Sequence, residues 1–423
     1  MDFKNKDQLS KDWKHLKLGD VCRLKNGFAF KSNNYKSAGI PVIRISDIKF
    51  GSVNPDKSVR IDEDEIYSDY EINRGDILVA MSGATTGKFG LYKSSDKAYQ
   101  NQRVGKFQIL NKEELYSDFL FYQLHALKRQ IEKDAYGGAQ PNISSGKIEG
   151  MPLLLPPKQI QQAIVSKIEE LFSELDKGIE NLLTAQQQLK TYRQSVLKWA
   201  FEGRLSNDNL EEGEVPNDWK FIKLGEHLED ISSGKSYRCD ERPPTNDEVG
   251  VIKVSSVTWG YFDELESKTC FSSDLLNVKY LIGKGDFLFS RANTIELIGA
   301  CVIVDQINKI LMLSDKILRF TFSKQVLKPY ALYYLRSRQG RKQIETLSTG
   351  NQDSMRNIGQ EKIRQITFPY CSIEEQKIIV QGIESRFSVA DKLQETITQS
   401  LQQSEALRQS ILKMAFEGRL VNE

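Results

Sequence analysis

Two stretches of this chain are almost the same sequence. Residues 192–207 read YRQSVLKWAFEGRLSN, and residues 407–422, 215 positions further on, read LRQSILKMAFEGRLVN. The same offset carries Asn142-Ile143 onto Asn357-Ile358, Lys147-Ile148 onto Lys362-Ile363, Ile168-Glu169 onto Ile383-Glu384, Phe172-Ser173 onto Phe387-Ser388 and Asp176-Lys177 onto Asp391-Lys392. Nearer the start of each half, Trp13-Lys14 and Lys17-Leu18-Gly19 return as Trp219-Lys220 and Lys223-Leu224-Gly225, at an offset of 206. Between these anchors IPVIRISDIKFG (40–51) aligns with VGVIKVSSVTWG (249–260), and Gly75-Asp76-Ile77-Leu78 with Gly285-Asp286-Phe287-Leu288. The drift of the offset places insertions in loops of the second half. A repeat on this scale sets the architecture: one unit, built twice, with a diverged globular part and a well-preserved helical part.

The helical part is legible by period. Ile168, Leu175, Leu182, Leu189 and Val196 recur every seven residues, with Leu171, Ala185, Tyr192 and Trp199 in a companion register. The second copy has Ile383, Ala390, Ile397 and Ile411, with Leu393, Leu407 and Met414, interrupted by Ser400 and Ser404. Sustained heptads without proline predict coiled-coil packing. Pro156-Pro157 precedes the first helix, Ser372 and Glu375 form a candidate capping box for the second, and Gly203 and Gly418 stand where helices end. Each helix is predicted to run roughly 45 residues, or about 65 Å. The simplest arrangement packs the two on each other, antiparallel; the plainer one packs each on its own globular part.

The globular parts combine β-rich runs at 42–45, 77–81, 104–109, 251–254, 287–289, 300–304 and 317–322 with helices predicted at 117–132 and 328–346. The expected fold is therefore α+β: two α/β domains separated by two long helices forming an antiparallel coiled coil, with an internal pseudo-twofold repeat. The expected segments are 1–150 (domain), 151–206 (helix), 207–365 (domain) and 366–423 (helix).

Composition narrows the function mainly by exclusion. The chain has 39% hydrophobic and 27% charged residues, as soluble globular proteins do. No apolar run approaches the ~18 residues of a membrane span, and residues 1–10 are too polar for a signal peptide. Five scattered cysteines without a CxxC pair point to reduced thiols in a cytoplasmic protein. Lys+Arg of 59 against Asp+Glu of 57 leaves only +2, so any nucleic-acid binding must rest on local patches or on a partner's charge.

Residues 82–89, SGATTGKF, look like a phosphate loop, but Gly83 and Gly87 enclose three residues where four are needed, and Phe89 follows Lys88. His15, His125 and His227 have no metal-ligand spacing. There is no GxSxG elbow, no GxGxxG loop and no Asn/Asp-Pro-Pro tetrapeptide of the amino-methyltransferase kind; Leu155 precedes Pro156-Pro157 and Arg242 precedes Pro243-Pro244. The expectation is a chain that is not an enzyme and holds no metal or cofactor of its own.

Taken together, the opening W-K-x-x-K-L-G, the LLLPP of 153–157 leading to Gln161 and Ile168-Glu169, and the two AFEGRL helix ends beginning at Ala200 and Ala415 resemble the specificity subunit of type I restriction–modification systems. The second entry to a helix departs, reading ITFPY at 366–370 with a single Pro369, although Glu375-Gln376 and the helix register survive. The resemblance implies two target-recognition domains, each reading one half of a bipartite site in double-stranded DNA. It implies helices that hold the two half-sites apart and dock two methyltransferase subunits. It also implies S-adenosylmethionine, ATP and Mg on partner subunits, with an ATP-driven restriction subunit among them. Helices of about 65 Å set against 3.4 Å per base pair bound the half-site separation at under roughly 20 base pairs. Two other readings remain: a recognition subunit of a type IIB-like enzyme, and an adaptor that binds protein only.

Base readers use Arg or Lys toward guanine and Asn or Gln toward adenine, while phosphate contacts only position. In the first domain the candidates are Asn26, Phe28, Lys31, Asn33, Asn34 and Tyr35, then Ser82, Thr85, Thr86 and Lys88, then Gln100, Asn101, Gln102 and Arg103. In the second they are Lys235, Ser236, Tyr237 and Arg238, then Arg291, Asn293 and Thr294, then Lys316 in the Ser314–Lys316 run. Gln140 and Gln352, in related loops ahead of the helices, fit a shared structural role, and Trp13 and Trp219 fit packing anchors. Lys198, Arg204, Lys413 and Arg419 recur between copies, as partner contacts or helix-end charges would.

Overall fold

The structure, a computed structural model, describes residues 13–49, 51–135, 141–207, 209–211, 213–245, 247–258 and 260–421. Its packing divides the chain into two compact units. One takes the chain through Leu182 together with the residues from Gln399 onward; the other is Leu183–Thr398. The divide falls inside the two long helices, so each unit owns the opening half of one helix and the closing half of the other.

The first unit contains α1 (Leu18–Val21), α2 (Ser117–Ala135), α3 (Ser145–Glu149) and the start of α4 (Lys158–Phe201). Its main sheet has six strands in the order Cys22–Asn26, Val104–Ile109, Ile77–Ala80, Phe89–Tyr92, Gly51–Val53 and Ile48–Lys49. A second sheet runs Arg60–Ile61, Ile40–Ile43, Ala98–Gln100, Glu71–Ile72. The second unit contains α5 (Lys328–Arg336), α6 (Arg338–Leu347), α7 (Gln360–Arg364) and most of α8 (Ile373–Phe416). Its sheets run Leu228–Ser233, Ile317–Phe322, Phe287–Ser290, Cys301–Ile303, and Cys239–Asp240, Ser267–Cys270, Val249–Ile252, Ile310–Met312. The single helix predicted at 328–346 is in fact two. Ser337 breaks it with extended backbone, and its side chain accepts the Gly340 amide at 3.2 Å to start α6.

Both long helices are 44 residues, about 66 Å. Their ends are built alike. Gly203 and Gly418 take left-handed φ of 80° and 71°, and the next amides, Arg204 and Arg419, reach back to Trp199 O and Met414 O at 2.9 Å each. The capping box expected at α8 forms only by half. The Ser372 hydroxyl accepts the Glu375 amide at 3.2 Å, but the Glu375 carboxylate turns away to accept the Ser206 hydroxyl at 2.8 Å.

Within each unit the helix halves run antiparallel and share a core with the sheet. In the first, Ile164, Val165 and Ile168 bury with Ile411, Leu412, Ala415 and Phe416. In the second, Val196, Leu197, Ala200 and Phe201 bury with Ile379, Val380 and Ile383. The helices thus pack on each other and on the globular parts at once. The seven-residue register holds: Ile168, Val196, Ile383, Ala390, Ile397 and Ile411 are buried, and Leu175, Leu182 and Leu189 half-buried.

The companion register needs correcting. Leu171, Ala185, Trp199 and Met414 are half-buried, but Leu393 and Leu407 are 50% and 49% exposed, and Tyr192 is exposed too. The more fully covered flank lies one residue later, at Phe172, Ile179, Arg193 and Ala200 and at Phe387, Leu401, Arg408 and Ala415. A position four residues on lies about 40° round the helix from the seam and a position three on about 60° the other way. Both flanks are covered to some extent, and the one carrying Phe172 and Phe387 is covered along its whole length.

Two buried glutamines join each globular part to its helix. Gln161 donates to Glu114 O and Pro156 O, both at 2.8 Å, and accepts the Tyr116 amide at 2.9 Å. Gln376, its counterpart, donates to Gln325 O and Cys371 O at 3.0 Å and accepts the Leu327 amide at 2.9 Å. Trp13 and Trp219 are both buried, as packing anchors should be.

Candidate nucleic-acid interface

In the second unit three polar segments far apart in sequence meet at one cleft of about 560 Å³. Ser236 and Tyr237, Asn293, and Ser314 to Lys316 line it. The sheet does the gathering. Phe287–Ser290 pairs antiparallel with Ile317–Phe322, and the Arg291 amide donates to Lys316 O at 2.9 Å, setting the second segment beside the third. The first is drawn in at Gly234, whose amide donates to Ser314 O at 3.2 Å. A Cβ there would lie 1.7 Å from Leu313 O, so only glycine lets the chain approach this closely.

Lys253 and Lys268 also line the cleft, and sequence reasoning missed them. Both reach Glu241, at 3.9 and 2.6 Å, and the Lys268 hydrogen bond holds the Glu241 carboxyl below its ordinary value. The Ser314 hydroxyl is buried with no protein partner among the described residues. A buried hydroxyl without a partner is an exception that asks for a ligand or water. Lys235 and Arg238 are exposed nearby in sequence without lining the cleft; the Arg291 Nε donates to Asn357 Oδ1 at 3.4 Å, and Thr294 is half-buried.

In the first unit two candidate segments come together. Phe28 bridges to Asn101 and its amide donates to Gln100 O at 2.9 Å, while a Cβ on Gly27 would lie 2.2 Å from that same oxygen. Asn26, Lys31, Asn33, Asn34, Gln102 and Arg103 are exposed and Asn101 half-buried around this junction. Phe28 is less free than expected: it packs on Phe30, Tyr67 and Tyr70 at ring-centroid distances of 5.1, 5.2 and 5.4 Å. Tyr35 packs against the buried Val42, Ile61 and Tyr99 cluster.

Two candidates are structural rather than reading groups. Gln100 has no exposed surface, and its amide donates to Lys25 O at 2.6 Å and Val104 O at 2.7 Å, tying strands of both sheets. Thr86 is buried and donates to Gly83 O and Pro141 O, at 2.6 and 3.0 Å. Around it Thr85 donates to Ile45 O at 3.0 Å, Ser82 bridges to Asn142, and Lys88 stays exposed. Gln140 lies outside the described residues; Gln352 is exposed on a hairpin.

The helix-end lysines pair in matching ways, and the arginines do not. Lys198 approaches Glu202 at 3.9 Å and Lys413 approaches Glu417 at 3.8 Å; Arg204 lies over the Trp199 ring at 5.6 Å and Arg419 bonds Glu417 at 2.5 Å. A further matched pair escaped sequence reasoning: Lys106–Asp76 at 3.4 Å in the first unit and Arg319–Asp286 at 3.2 Å in the second. Among the described residues no group of three or more His, Cys, Asp or Glu side chains could hold a metal ion, and no helix is long and apolar enough to cross a membrane.

Residues 10–185 and 216–403 match the family model of the type I restriction modification DNA specificity domain. The chain belongs to that family. It is similar to the EcoBI specificity subunit of Escherichia coli, at 26% identity over 428 residues that cover 96% of this chain and 86% of the relative. It is equally similar to the MjaVIII specificity subunit of Methanocaldococcus jannaschii, at 26% over 427 residues, covering 98% and 94%. The fold is shared with a chain from a structure described as underlying complex assembly and conformational transition of the type I system, with TM-score 0.71, 17% identity and coverage of 97% and 99%. It is shared also with the HsdS subunit of Thermoanaerobacter tengcongensis, with TM-score 0.57, 18% identity and coverage of 98% and 99%. The chain is thus a DNA-specificity subunit of a type I restriction–modification system, a class of subunit that recognises DNA within a larger complex and is not itself catalytic.

Proposed function

We propose that each unit of this specificity subunit reads one half of a bipartite site in double-stranded DNA, and that the long helices set the spacing between halves. Segments 1–150 and 207–365 act as target-recognition domains, 151–206 and 366–423 as spacers. The observation that carries the reading is the cleft of the second unit. It gathers amide, hydroxyl and lysine side chains from three distant segments, and these differ from their counterparts in the first unit while the helices beneath are alike. Readers that differ on frames that match are what two different half-sites and one kind of partner require.

Two methyltransferase subunits dock along the helices, which leave Leu183, Tyr192, Val389, Leu393 and Leu407 exposed. Those subunits carry S-adenosylmethionine and methylate adenine; restriction subunits carry ATP and Mg, and the complex works in the cytoplasm. The near-neutral charge of this chain agrees with partners supplying much of the phosphate contact.

Methylation mapping by long-read sequencing tests the proposal, in a host with and without this gene beside its methyltransferase gene. A gene-dependent, two-part adenine motif with a fixed gap is the expected result, and exchanging residues 10–140 for those of a relative should alter one part only. An active complex whose motif ignores the exchange would sink the reading.

A further inference from the structure

The strands Thr349–Gln352 and Met355–Asn357 form a two-stranded ribbon whose second strand pairs with Ala292–Asn293. Asn293 and Arg356 are direct partners in that pairing, so the ribbon borders the cleft that Asn293 lines. Its stem is locked. The Arg356 guanidinium donates to Gly350 O and Ser348 O, both at 2.8 Å, and to Ser348 Oγ at 3.2 Å. The turn is tied down as well, since Asp353 O accepts the Ile295 amide at 2.7 Å.

The tip is nonetheless bare. Gln352 and Met355 are cross-strand partners, which puts both side chains on one face, and Met355 is 78% exposed. The ribbon thus holds a methionine and an amide side by side in water, next to the polar cleft that Asn293 lines.

The segment that carries the ribbon is also longer in the second copy. Ile131 and Ile344 stand against Gly87 and Gly299 in their respective units, which makes them equivalent. From there to the shared Asn-Ile at 142 and 357 the first copy takes 11 steps and the second 13. A surface for a partner common to both halves needs no such difference, whereas a reader of one half-site does.

We propose that this ribbon enters the major groove beside the cleft and reads bases of the second unit's half-site. Gln352, exposed and so free of the structural role expected for it alongside Gln140, meets an adenine edge, and Met355 packs on a thymine methyl. The groove admits a two-stranded ribbon, and these are the pairings its donor, acceptor and methyl pattern favours. The inference rests on the proposed reading of half-sites.

The test uses the full chain with its methyltransferase subunit on a library of DNA sites with randomised bases. Gln352→Ala and Met355→Ala should each relax preference about five- to tenfold at one or two adjacent positions of one half-site, leaving the other half-site and the thermal midpoint unchanged. Asn293→Ala and Lys316→Ala, in the cleft, run alongside. If these two move the half-site and the ribbon variants do not, the ribbon is no reader while the cleft reading stands. If none of the four moves any position in an active complex, both fail.

Discussion

Arg193 donates to Asp391 at 2.6 Å and lies over the ring of Phe387 at 5.3 Å. The repeat reproduces the arrangement residue for residue: Arg408 bonds Asp176 and lies over Phe172 at 4.4 Å. Each unit therefore carries one latch in which a guanidinium from the closing half of a helix meets a carboxylate and a ring from the opening half of the other.

Arg193→Ala and Arg408→Ala should each cost about 1 kcal/mol, the sum of a partly exposed ion pair and a ring contact. A double-mutant cycle for Arg193 and Asp391, read by chemical denaturation, should give a coupling of about 0.2–1 kcal/mol that shrinks in high salt. No coupling at low salt would mean the pair does not hold the helices.

Gln161→Ala and Gln376→Ala should behave alike. Each strips three hydrogen bonds from backbone groups at the junction of sheet and helix, which costs about 2–3 kcal/mol. A loss below about 0.5 kcal/mol in either would contradict the joint described here.

Neighbours in one segment should part ways. Gln100→Ala removes a buried amide and should destabilise the fold by about 1–3 kcal/mol while leaving the methylated motif intact. Arg103→Ala, at an exposed position, should leave stability alone and weaken methylation through the first half-site. The reverse pattern would overturn both assignments.

His125 is packed edge-on against Phe89 and Phe121, at 4.8 and 4.7 Å. Burial, with the charges of Lys128 and Arg408, pushes its imidazole from 6.5 down to about 4. The unfolded chain takes up a proton near pH 6.5 that the folded chain refuses until about pH 4. The stabilisation is therefore whole above pH 6.5 and drains away as pH falls toward 4, about 3 kcal/mol in all. Thermal midpoints at pH 7.5 and 4.5 should fall further for the native chain than for His125→Phe; equal falls would remove His125 as the cause.

Adding one heptad to both helices, near Thr184 and Thr398, should lengthen each by about 10 Å, or roughly three base pairs. The gap in the motif should widen while both halves stay as they were. An unchanged gap with an active complex would refute the role of the helices in spacing.

The duplication, the two helices, their length and their glycine ends were all legible in the sequence. These are local properties: a seven-residue period, a proline before a helix and a glycine free to take positive φ act through neighbours in the chain. The candidate readers were legible only as segments. Within QNQR, residue type does not tell Gln100 from Arg103, because burial is decided by what the fold lays against each, and for Gln100 that is the carbonyl of Lys25, 75 positions away.

The companion flank of the helices was read only in part, for a related reason. The period marks one seam, but which side of it is closed depends on where Phe172, Phe387 and the globular core lie. The convergence of Tyr237, Asn293 and Lys316 on one cleft, and the pairing of Arg193 with Asp391 across 198 positions, were likewise decided by strand pairing and helix docking alone. Sequence determines what each stretch can form from its own backbone and period. Tertiary structure decides which side chains then share space, because that depends on contacts between stretches with no local signal to relate them.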